Sequence, residues 1–306
     1  MFENSGEIKK EVLKLKRKKN AVILAHNYQA PDIQDVADFV GDSLELSRKA
    51  VGVEAETIVF CGVDFMAETA KMINPKKRVL IPDANSRCPM AAMLKPEDIL
   101  NARKDHPGAP VLLYVNTSAA CKAEGDYACT SANAVQVARA IPEKEILFGP
   151  DANLCSYVQG MVPEKKFHPI PARGFCPTHL RIYPAEIAGL KKMRPEAKII
   201  AHPECIREVR EMADYVVSTA GMLKAAREDE AGEFIIATEK GMVYRMEKEI
   251  PQKKFYEVNA VCPNMKMHTV AKVRDALKKG QYEVEVPDEI AEKAMISIRR
   301  MMELVK

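Results

Sequence analysis

Three Cys-Pro pairs stand at nearly equal intervals along the chain, at Cys88, Cys176 and Cys262. The two intervals are 88 and 86 residues long. One soft metal ligand in each of three similar segments predicts a threefold internal repeat whose thiolates meet at one place. Three protein ligands leave one coordination position of a metal centre for substrate, which is typical of catalytic sites.

Other landmarks recur in register with the cysteines. The polar end of an apolar run precedes each cysteine by 62, 62 and 60 residues. A hydroxyl residue at a predicted helix start then precedes it by 45, 45 and 44 residues. The strand-end residues are His26, Tyr114 and His202, and the hydroxyl residues are Ser43, Ser131 and Ser218.

Two further apolar runs complete each segment, so each repeat is predicted to run strand, helix, strand, helix, strand. The runs are continuous rather than alternating, as in parallel strands that are buried on both faces. Helical patterns such as DIQDVADFVGDSLELSRKA lie between them. The pattern predicts an α/β protein with three three-layer α/β/α domains, each with a small parallel sheet, in a pseudo-threefold arrangement around a central cavity. The predicted boundaries are 1–92, 93–181 and 182–270, with C-terminal helices over 271–306 that pack on the repeats.

Composition narrows the class of protein. A net charge of +3 over 306 residues gives no indication of nucleic-acid binding, and no segment has the ~20 apolar residues that span a bilayer. The basic run KLKRKK is interpreted as the solvated face of a first helix whose apolar side carries Ile8, Val12 and Leu15. Without a secretory signal, a cytoplasmic protein is expected, in which eight cysteines indicate thiol or metal chemistry rather than disulfides.

The cysteines favour an iron–sulfur cluster over zinc. Zinc sites usually contain closely spaced cysteine pairs, and no C-x₂-C pair occurs in this chain. One cysteine from each of three repeats suits a [4Fe–4S] cluster with three thiolate ligands and one open iron. The other cysteines lack the threefold register and are predicted to pack in the core; they are Cys61, Cys121, Cys129, Cys155 and Cys205.

The polar residues after the apolar runs fall at the carboxyl ends of predicted parallel strands, where ligands of such sheets bind. His26 and His202 are interpreted as anion ligands or proton donors, and Glu204 as the general base. Ser43, Ser131 and the pair Ser218-Thr219 suit either plain helix N-caps or an anionic-substrate pocket. Tyr28 and Tyr114 are candidate proton donors or cavity-closing residues.

With these residues in place, the chain resembles the quinolinate synthase family, cluster-dependent enzymes of NAD biosynthesis. The resemblance covers nearly the whole chain. The motifs that carry it are AHNYQ around His26, GDS around Ser43, YVNTSA around Tyr114, CTSAN around Ser131, HPE at His202 to Glu204, and STAGM around Ser218.

The resemblance implies condensation of iminoaspartate with dihydroxyacetone phosphate to quinolinate, with the open iron as a Lewis acid. It also implies functional coupling to an enzyme that produces iminoaspartate. Residues expected to hold carboxylate and phosphate groups are His26, Ser43, Ser131, His202, Ser218 and Thr219. Those expected to serve isomerisation, proton transfer and closure are Tyr28, Tyr114, Asn116 and Glu204.

Two departures and three alternatives accompany this hypothesis. The residue three before Cys262 is Asn259, so the C-x₂-C spacing of some family members is absent, and the tract at the first ligand reads DANSRCPM. The alternatives are a cluster-dependent hydro-lyase for another di- or tricarboxylate, an iron–sulfur redox protein, and a structural protein with thiols only.

Overall fold

A computed structural model describes residues 5–304 of the chain. Two compact units divide these residues. Unit 1 contains the residues up to Cys88 together with Cys262–Asp288, and unit 2 contains Pro89–Val261 and the residues from Glu289 onward. Within residues 5–304, no helix is long and apolar enough to cross a membrane.

Three four-stranded parallel sheets form the frame, one in unit 1 and two in unit 2. Each sheet has the order second, first, third, fourth strand. This confirms the predicted α/β class with three small parallel sheets. Sheet 1 contains β1 Ala21–His26, β2 Phe39–Gly41, β3 Thr57–Cys61 and β4 Arg78–Leu80; sheet 2 contains β5 Val111–Tyr114, β6 Tyr127–Cys129, β7 Glu145–Gly149 and β8 Lys166–Pro169; sheet 3 contains β9 Lys198–Ala201, β10 Tyr215–Val216, β11 Glu233–Ala237 and β12 Lys254–Glu257.

Helices alternate with these strands along the chain. The helices are α1 Ser5–Lys18, α2 Pro31–Val36, α3 Ser43–Val51, α4 Asp64–Ile73, α5 Pro96–Asp105, α6 Ala119–Ala123, α7 Ala134–Ala140, α8 Ala152–Met161, α9 Pro184–Met193, α10 Arg207–Glu211, α11 Thr219–Glu228, α12 Gly241–Glu249, α13 Val270–Lys279 and α14 Asp288–Leu304. Three short 3₁₀ turns add to them, at Ala91–Met93, His179–Arg181 and Met265–Met267.

The segment predicted as one continuous helical pattern after β1 is instead two helices separated by an edge strand. The side chain of Asp38 accepts a hydrogen bond from the backbone N–H of Ile23 at 2.8 Å, and the N–H of Asp38 donates to the carbonyl of Ile23 at 2.9 Å. These bonds hold Asp38 beside β1. The residues that follow Asp38 therefore form β2, although the apolar pattern predicted that the helix would continue through them.

The same aspartate contact occurs in all three sheets. Asp126 binds the backbone N–H and carbonyl of Val111, and Asp214 binds those of Ile199. Each carboxylate accepts the N–H bond at 2.8 Å. We call this contact the aspartate clamp. It gives every sheet a short edge strand that the apolar runs did not predict.

The first and third strands of each sheet are buried on both faces, as their continuous apolar runs predicted, whereas edge strands such as β8 and β12 are partly exposed. In sheet 1, the core joins Ile23 and Val59 to Val12 of α1 and to Val273 of α13. The predicted first helix is confirmed, since Val12 is buried and Lys16, Arg17 and Lys18 of the basic run occupy the last turn of α1. Helix α13 follows Cys262 in the chain and therefore completes the core of unit 1.

The segment after each repeat cysteine has the same local structure. A 3₁₀ turn begins three residues after Cys88, Cys176 and Cys262. A helix of 10 residues then begins eight residues after the cysteine. The Cys-Pro pair thus ends the loop at the carboxyl edge of a sheet and leads directly into a turn of fixed length.

Gly149, at the end of β7, provides a test of packing at this edge. A Cβ atom at Gly149 would lie 2.1 Å from the carbonyl oxygen of Ile170, a backbone atom. Gly149→Ala is therefore expected to lower the free energy of unfolding by roughly 1–3 kcal/mol in urea denaturation, since the backbone must shift. Gly160→Ala is the control, because nothing lies within 4 Å of that position in α8. The prediction is wrong if both variants match the wild type.

Candidate functional site

The central strand of each sheet ends in a polar residue. His26 is the last residue of β1, Tyr114 is the last residue of β5, and His202 directly follows β9. Each is buried, and neighbouring members are 88 positions apart in sequence. The structure therefore places all three at the carboxyl edges of their own sheets, as the sequence predicted.

In unit 2, the carboxylate of Glu204 is the centre of a buried hydrogen-bond network. The hydroxyl of Tyr114 donates to Oε1 at 2.5 Å. The Nδ1 atom of His179 lies 2.8 Å from Oε2. Both neighbours and Glu204 are nearly inaccessible to solvent. Two donors hold this side chain in one orientation and favour its ionised form.

His202 joins the network from the other side. Its Nδ1 atom accepts a hydrogen bond from the backbone N–H of Glu204 at 3.3 Å, which leaves the ring proton on Nε2. That atom lies 3.2 Å from the hydroxyl of Ser131. The ring also stacks on His179, with centroids 4.7 Å apart. Tyr114, Ser131, His202 and Glu204, all predicted site residues, are therefore brought together within unit 2.

Two buried carboxyl groups in unit 2 have opposite pKa shifts. Burial raises the pKa of Asp151 well above its usual value, and the charge of Glu204 raises it further. Burial also acts to raise the pKa of Glu204, but the imidazoles of His179 and His202 and the hydrogen bonds from His179 and Tyr114 more than offset this, so its pKa is lowered. Burial thus favours the neutral form of Asp151, whereas the groups around Glu204 favour its ionised form.

In unit 1, His26 has the same local geometry as His202. The backbone N–H of Tyr28 donates to Nδ1 of His26 at 3.2 Å, and the two rings meet edge to face at 4.5 Å. The backbone carbonyl of Tyr28 also accepts a hydrogen bond from Lys266, in the segment that follows Cys262. Tyr28 and Glu204 therefore occupy equivalent places, each two residues after a strand-end histidine.

The hydroxyl residues lie at helix starts, but only Ser218 is an N-cap. Its side chain accepts from the N–H of Gly221 at 3.2 Å. The prediction of a cap at Ser43 is wrong, because the carboxylate of Asp42 takes that position and bonds the N–H groups of Leu44 and Glu45. Ser131 stands two residues before Asn133, the residue that precedes α7.

Asn116 is equivalent in register to Tyr28 and Glu204, two residues after Tyr114. Its Oδ1 atom is buried and has no hydrogen-bond partner within residues 5–304. A buried amide oxygen without a donor costs free energy unless a ligand or water supplies one. The position of Asn116 is therefore consistent with its predicted role in substrate binding.

The cysteines fall into two classes. Cys88, Cys176 and Cys262 are partly exposed, whereas the other five are buried. Burial raises the pKa of those five thiols, that of Cys155 to about 12. Since thiolates rather than thiols bind metals, the three repeat cysteines are the better ligands. The donor set of three partly exposed thiols therefore fits an iron–sulfur cluster.

Two aspartates hold the cysteine loops in place. The backbone N–H of Cys88 donates to Asp64 at 3.2 Å in unit 1, and that of Cys176 donates to Asp151 at 3.0 Å in unit 2. Asp151 also caps α8 through the N–H of Leu154. Each cysteine backbone is thereby tied to the start of the helix that follows the third strand of its sheet.

Comparisons with known proteins identify the family of this chain. A family model described as "Quinolinate synthetase A protein" matches residues 10–303. The chain belongs to this family. It is 52% identical over 305 residues to a quinolinate synthase of Pyrococcus furiosus, which covers 99% of this chain and 100% of the relative. It is 50% identical over 302 residues to that of Pyrococcus horikoshii (98% and 100%) and 48% identical over 305 residues to that of Methanoregula boonei (99% and 100%).

For this member of the quinolinate synthetase A family, sequence reasoning missed three residues that support the site. His179 contacts Glu204 and lies beside Cys176, while Asp64 and Asp151 bind the cysteine loops. The aspartates had a detectable signal, because they precede their cysteines by 24 and 25 residues. His179 had none, since the matching positions in the other repeats are Ala91 and Met265.

Acid sensitivity is expected from His202 in this family member. Burial lowers its pKa from 6.5 to about 3, so the unfolded chain binds a proton between these values and the folded chain does not. The contribution of His202 to the free energy of unfolding is therefore fully present above pH 6.5 and is lost as the pH falls towards 3. When the pH falls from about 7.5 to about 5, the free energy of unfolding of His202→Asn, measured by urea denaturation, should decrease by about 2 kcal/mol less than that of the wild type. Equal losses in the two proteins would contradict the assignment.

Proposed function

We propose that this protein catalyses the quinolinate synthase reaction, in which iminoaspartate and dihydroxyacetone phosphate condense to quinolinate with loss of phosphate and two waters. The observation that carries the proposal is the buried carboxylate of Glu204, held by Tyr114 and His179 close to the partly exposed Cys176. Membership of the quinolinate synthetase A family over residues 10–303 supports it.

The proposed cofactor is a [4Fe–4S] cluster with Cys88, Cys176 and Cys262 as ligands and one open iron. Support comes from the repeat register of these cysteines and from the partial exposure of each within its own unit. When bound, the cluster supplies a Lewis acid that binds a substrate hydroxyl or carboxylate and eases dehydration. The predicted boundaries at 92, 181 and 270 and the pseudo-threefold arrangement remain part of this proposal.

Anionic groups of the substrates are assigned to imidazole and hydroxyl side chains at sheet edges and helix starts. Burial lowers the pKa of His202 to about 3, and its Nε2 proton is directed to the hydroxyl of Ser131, which leaves the hydroxyl proton of Ser131 to donate to a carboxylate or phosphate. Thr219 begins α11, a helix of 10 residues whose first N–H groups suit an anion. The full proposed set is His26, Ser43, Ser131, His202, Ser218 and Thr219.

Proton transfer is assigned to Tyr114 and Glu204. The phenol hydroxyl is bonded to the carboxylate, so a proton that leaves a substrate carbon can pass through the tyrosine oxygen to Glu204. The lowered pKa of Glu204 keeps its carboxylate ionised, so it is the acceptor in this step. Tyr28 and Asn116 hold the equivalent places in the other repeats and are assigned to isomerisation, substrate binding and closure.

The substrates point to two further features. Iminoaspartate must be supplied by an enzyme that oxidises or dehydrogenates an amino-dicarboxylate, so functional coupling to such an enzyme is proposed. A cytoplasmic location is proposed because reduced thiols are maintained there. No binding of nucleic acid or membrane is included in the proposal.

An anaerobic assay of the purified, cluster-replete protein tests the reaction. Iminoaspartate and dihydroxyacetone phosphate should yield quinolinate and inorganic phosphate in equal amounts, measured by chromatography and a phosphate assay. Absence of quinolinate from protein with full iron content would refute the proposal and favour a hydro-lyase for another dicarboxylate.

Replacement of single cysteines tests the ligand set. Cys88→Ala, Cys176→Ala and Cys262→Ala should each lose the cluster, because two thiolates do not hold it. Cys205→Ala is the control: its sulfur donates to the carbonyl of Ala237 inside the core, and the variant should retain iron. Iron per chain, with the absorbance of the cluster, gives the result. Loss of iron in Cys205→Ala alone would overturn the assignment.

Replacement of Glu204 tests the proton-transfer role. Glu204→Gln should retain the cluster but lower kcat by about 10²–10⁴-fold, because the amide cannot accept a proton. The matched control is Glu208→Gln, at an exposed glutamate of α10. Quinolinate formation and iron content are measured for both. Wild-type kcat in Glu204→Gln would remove this residue from the mechanism.

A further inference from the structure

His179 has no assigned role, yet it contacts Glu204, Cys176 and His202. Its side chain is 1% exposed. The Nδ1 atom lies 2.8 Å from Oε2 of Glu204 and 3.2 Å from the sulfur of Cys176. We propose that His179 is a positioning residue that fixes the carboxylate of Glu204 relative to Cys176. This inference rests on the proposed function of that site.

The hydrogen-bond partners of His179 determine where its ring proton lies. The Nε2 atom lies 2.8 Å from the hydroxyl of Thr238. The carboxylate of Glu204 only accepts, so Nδ1 carries a proton, while Nε2 shares a hydrogen bond with the hydroxyl of Thr238. The Nδ1 proton points to both the carboxylate and the sulfur, with the shorter distance to the carboxylate. A single N–H group thus orients the proposed base and a proposed cluster ligand.

The other two repeats show that the turn does not need a histidine. The equivalent first residues of the 3₁₀ turns are Ala91 and Met265, which are also buried. An apolar side chain therefore satisfies this position of the fold. A buried imidazole loses hydration and needs polar partners in return. Its Nδ1 partners in this repeat, Glu204 and Cys176, belong to the site, which indicates a role there rather than in the turn.

Stacking further restricts the ring. The imidazoles of His179 and His202 are 24° from parallel, and their centroids are 4.7 Å apart. Thr238, which is fully buried, fixes the other end of the ring. The orientation of His179 is therefore set by two independent contacts, as expected for a residue that positions others.

The test compares three variants of cluster-replete protein. His179→Gln removes the donor at the Nδ1 position, His179→Asn keeps an amide donor there, and Thr238→Val removes the hydroxyl that orients the ring. The control is His106→Gln, at a histidine of unit 2 that stacks on His168. Iron per chain, the reduction potential of the cluster, kcat and KM are measured for all four.

His179→Gln should lower kcat by about 10–100-fold, with little change of KM. Its reduction potential should become more negative, because a hydrogen bond to the thiolate is lost. His179→Asn should restore part of the kcat and part of the reduction potential. Thr238→Val should lower kcat and make the potential more negative, as His179→Gln does. If His179→Gln loses iron, the reduction potential of the cluster in Thr238→Val tests the inference instead.

Wild-type potential and kcat in His179→Gln, or loss of iron in His179→Gln with an unchanged potential in Thr238→Val, would overturn the inference. A purely structural role predicts the second result. The potential is measured without substrate, so it tests the contact between His179 and Cys176 even if wild-type protein forms no quinolinate. Failure of the proposed function and failure of this inference are therefore distinguishable.

Discussion

The aspartate clamp fixes where the second strand of each of the three described sheets begins, beside the first strand. Asp38, Asp126 and Asp214 each bind the backbone of a first-strand residue 15 positions earlier through both side chain and main chain. The two bonds start the short edge strand at a fixed point beside the central strand. A hydroxyl residue follows each clamp by five positions, at Ser43, Ser131 and Thr219. The clamp therefore places a hydroxyl group at the carboxyl edge of each sheet, where the strand-end residues also lie.

A repeated scaffold here carries unequal chemistry. The strand-end residue and the residue two positions later are His and Tyr in the first repeat, Tyr and Asn in the second, and His and Glu in the third. His26 and His202 even share the same backbone hydrogen bond to Nδ1. The backbone thus provides equivalent positions with different side chains, which is the basis of the separate anion-binding and proton-transfer roles that we propose. The opposite pKa shifts of Asp151 and Glu204 show the same principle within unit 2.

Much of the scaffold could be predicted from the sequence, because burial on both faces of a parallel strand leaves a continuous apolar run. The edge strands could not, since two or three residues such as Tyr215–Val216 carry no periodicity. Local competition decided the cap of α3, where the carboxylate of Asp42 forms a capping box with Glu45 that Ser43 could not form. His179 was missed because the repeat comparison detects shared residues, and this one is present in a single repeat.

The return of α13 to unit 1 has a consequence for the order in which the protein acquires its structure. The residues that complete the first core, among them Val270, Val273 and Leu277, are synthesised after both sheets of unit 2. Until then, the apolar side of α1 and the face of sheet 1 around Val59 lack their cover. On the ribosome, where amino-terminal regions generally fold first, unit 1 therefore stays incomplete until α13 has been synthesised, and unit 2 in turn waits for α14. Sheet 1 thus waits for its cover while both sheets of unit 2 are synthesised.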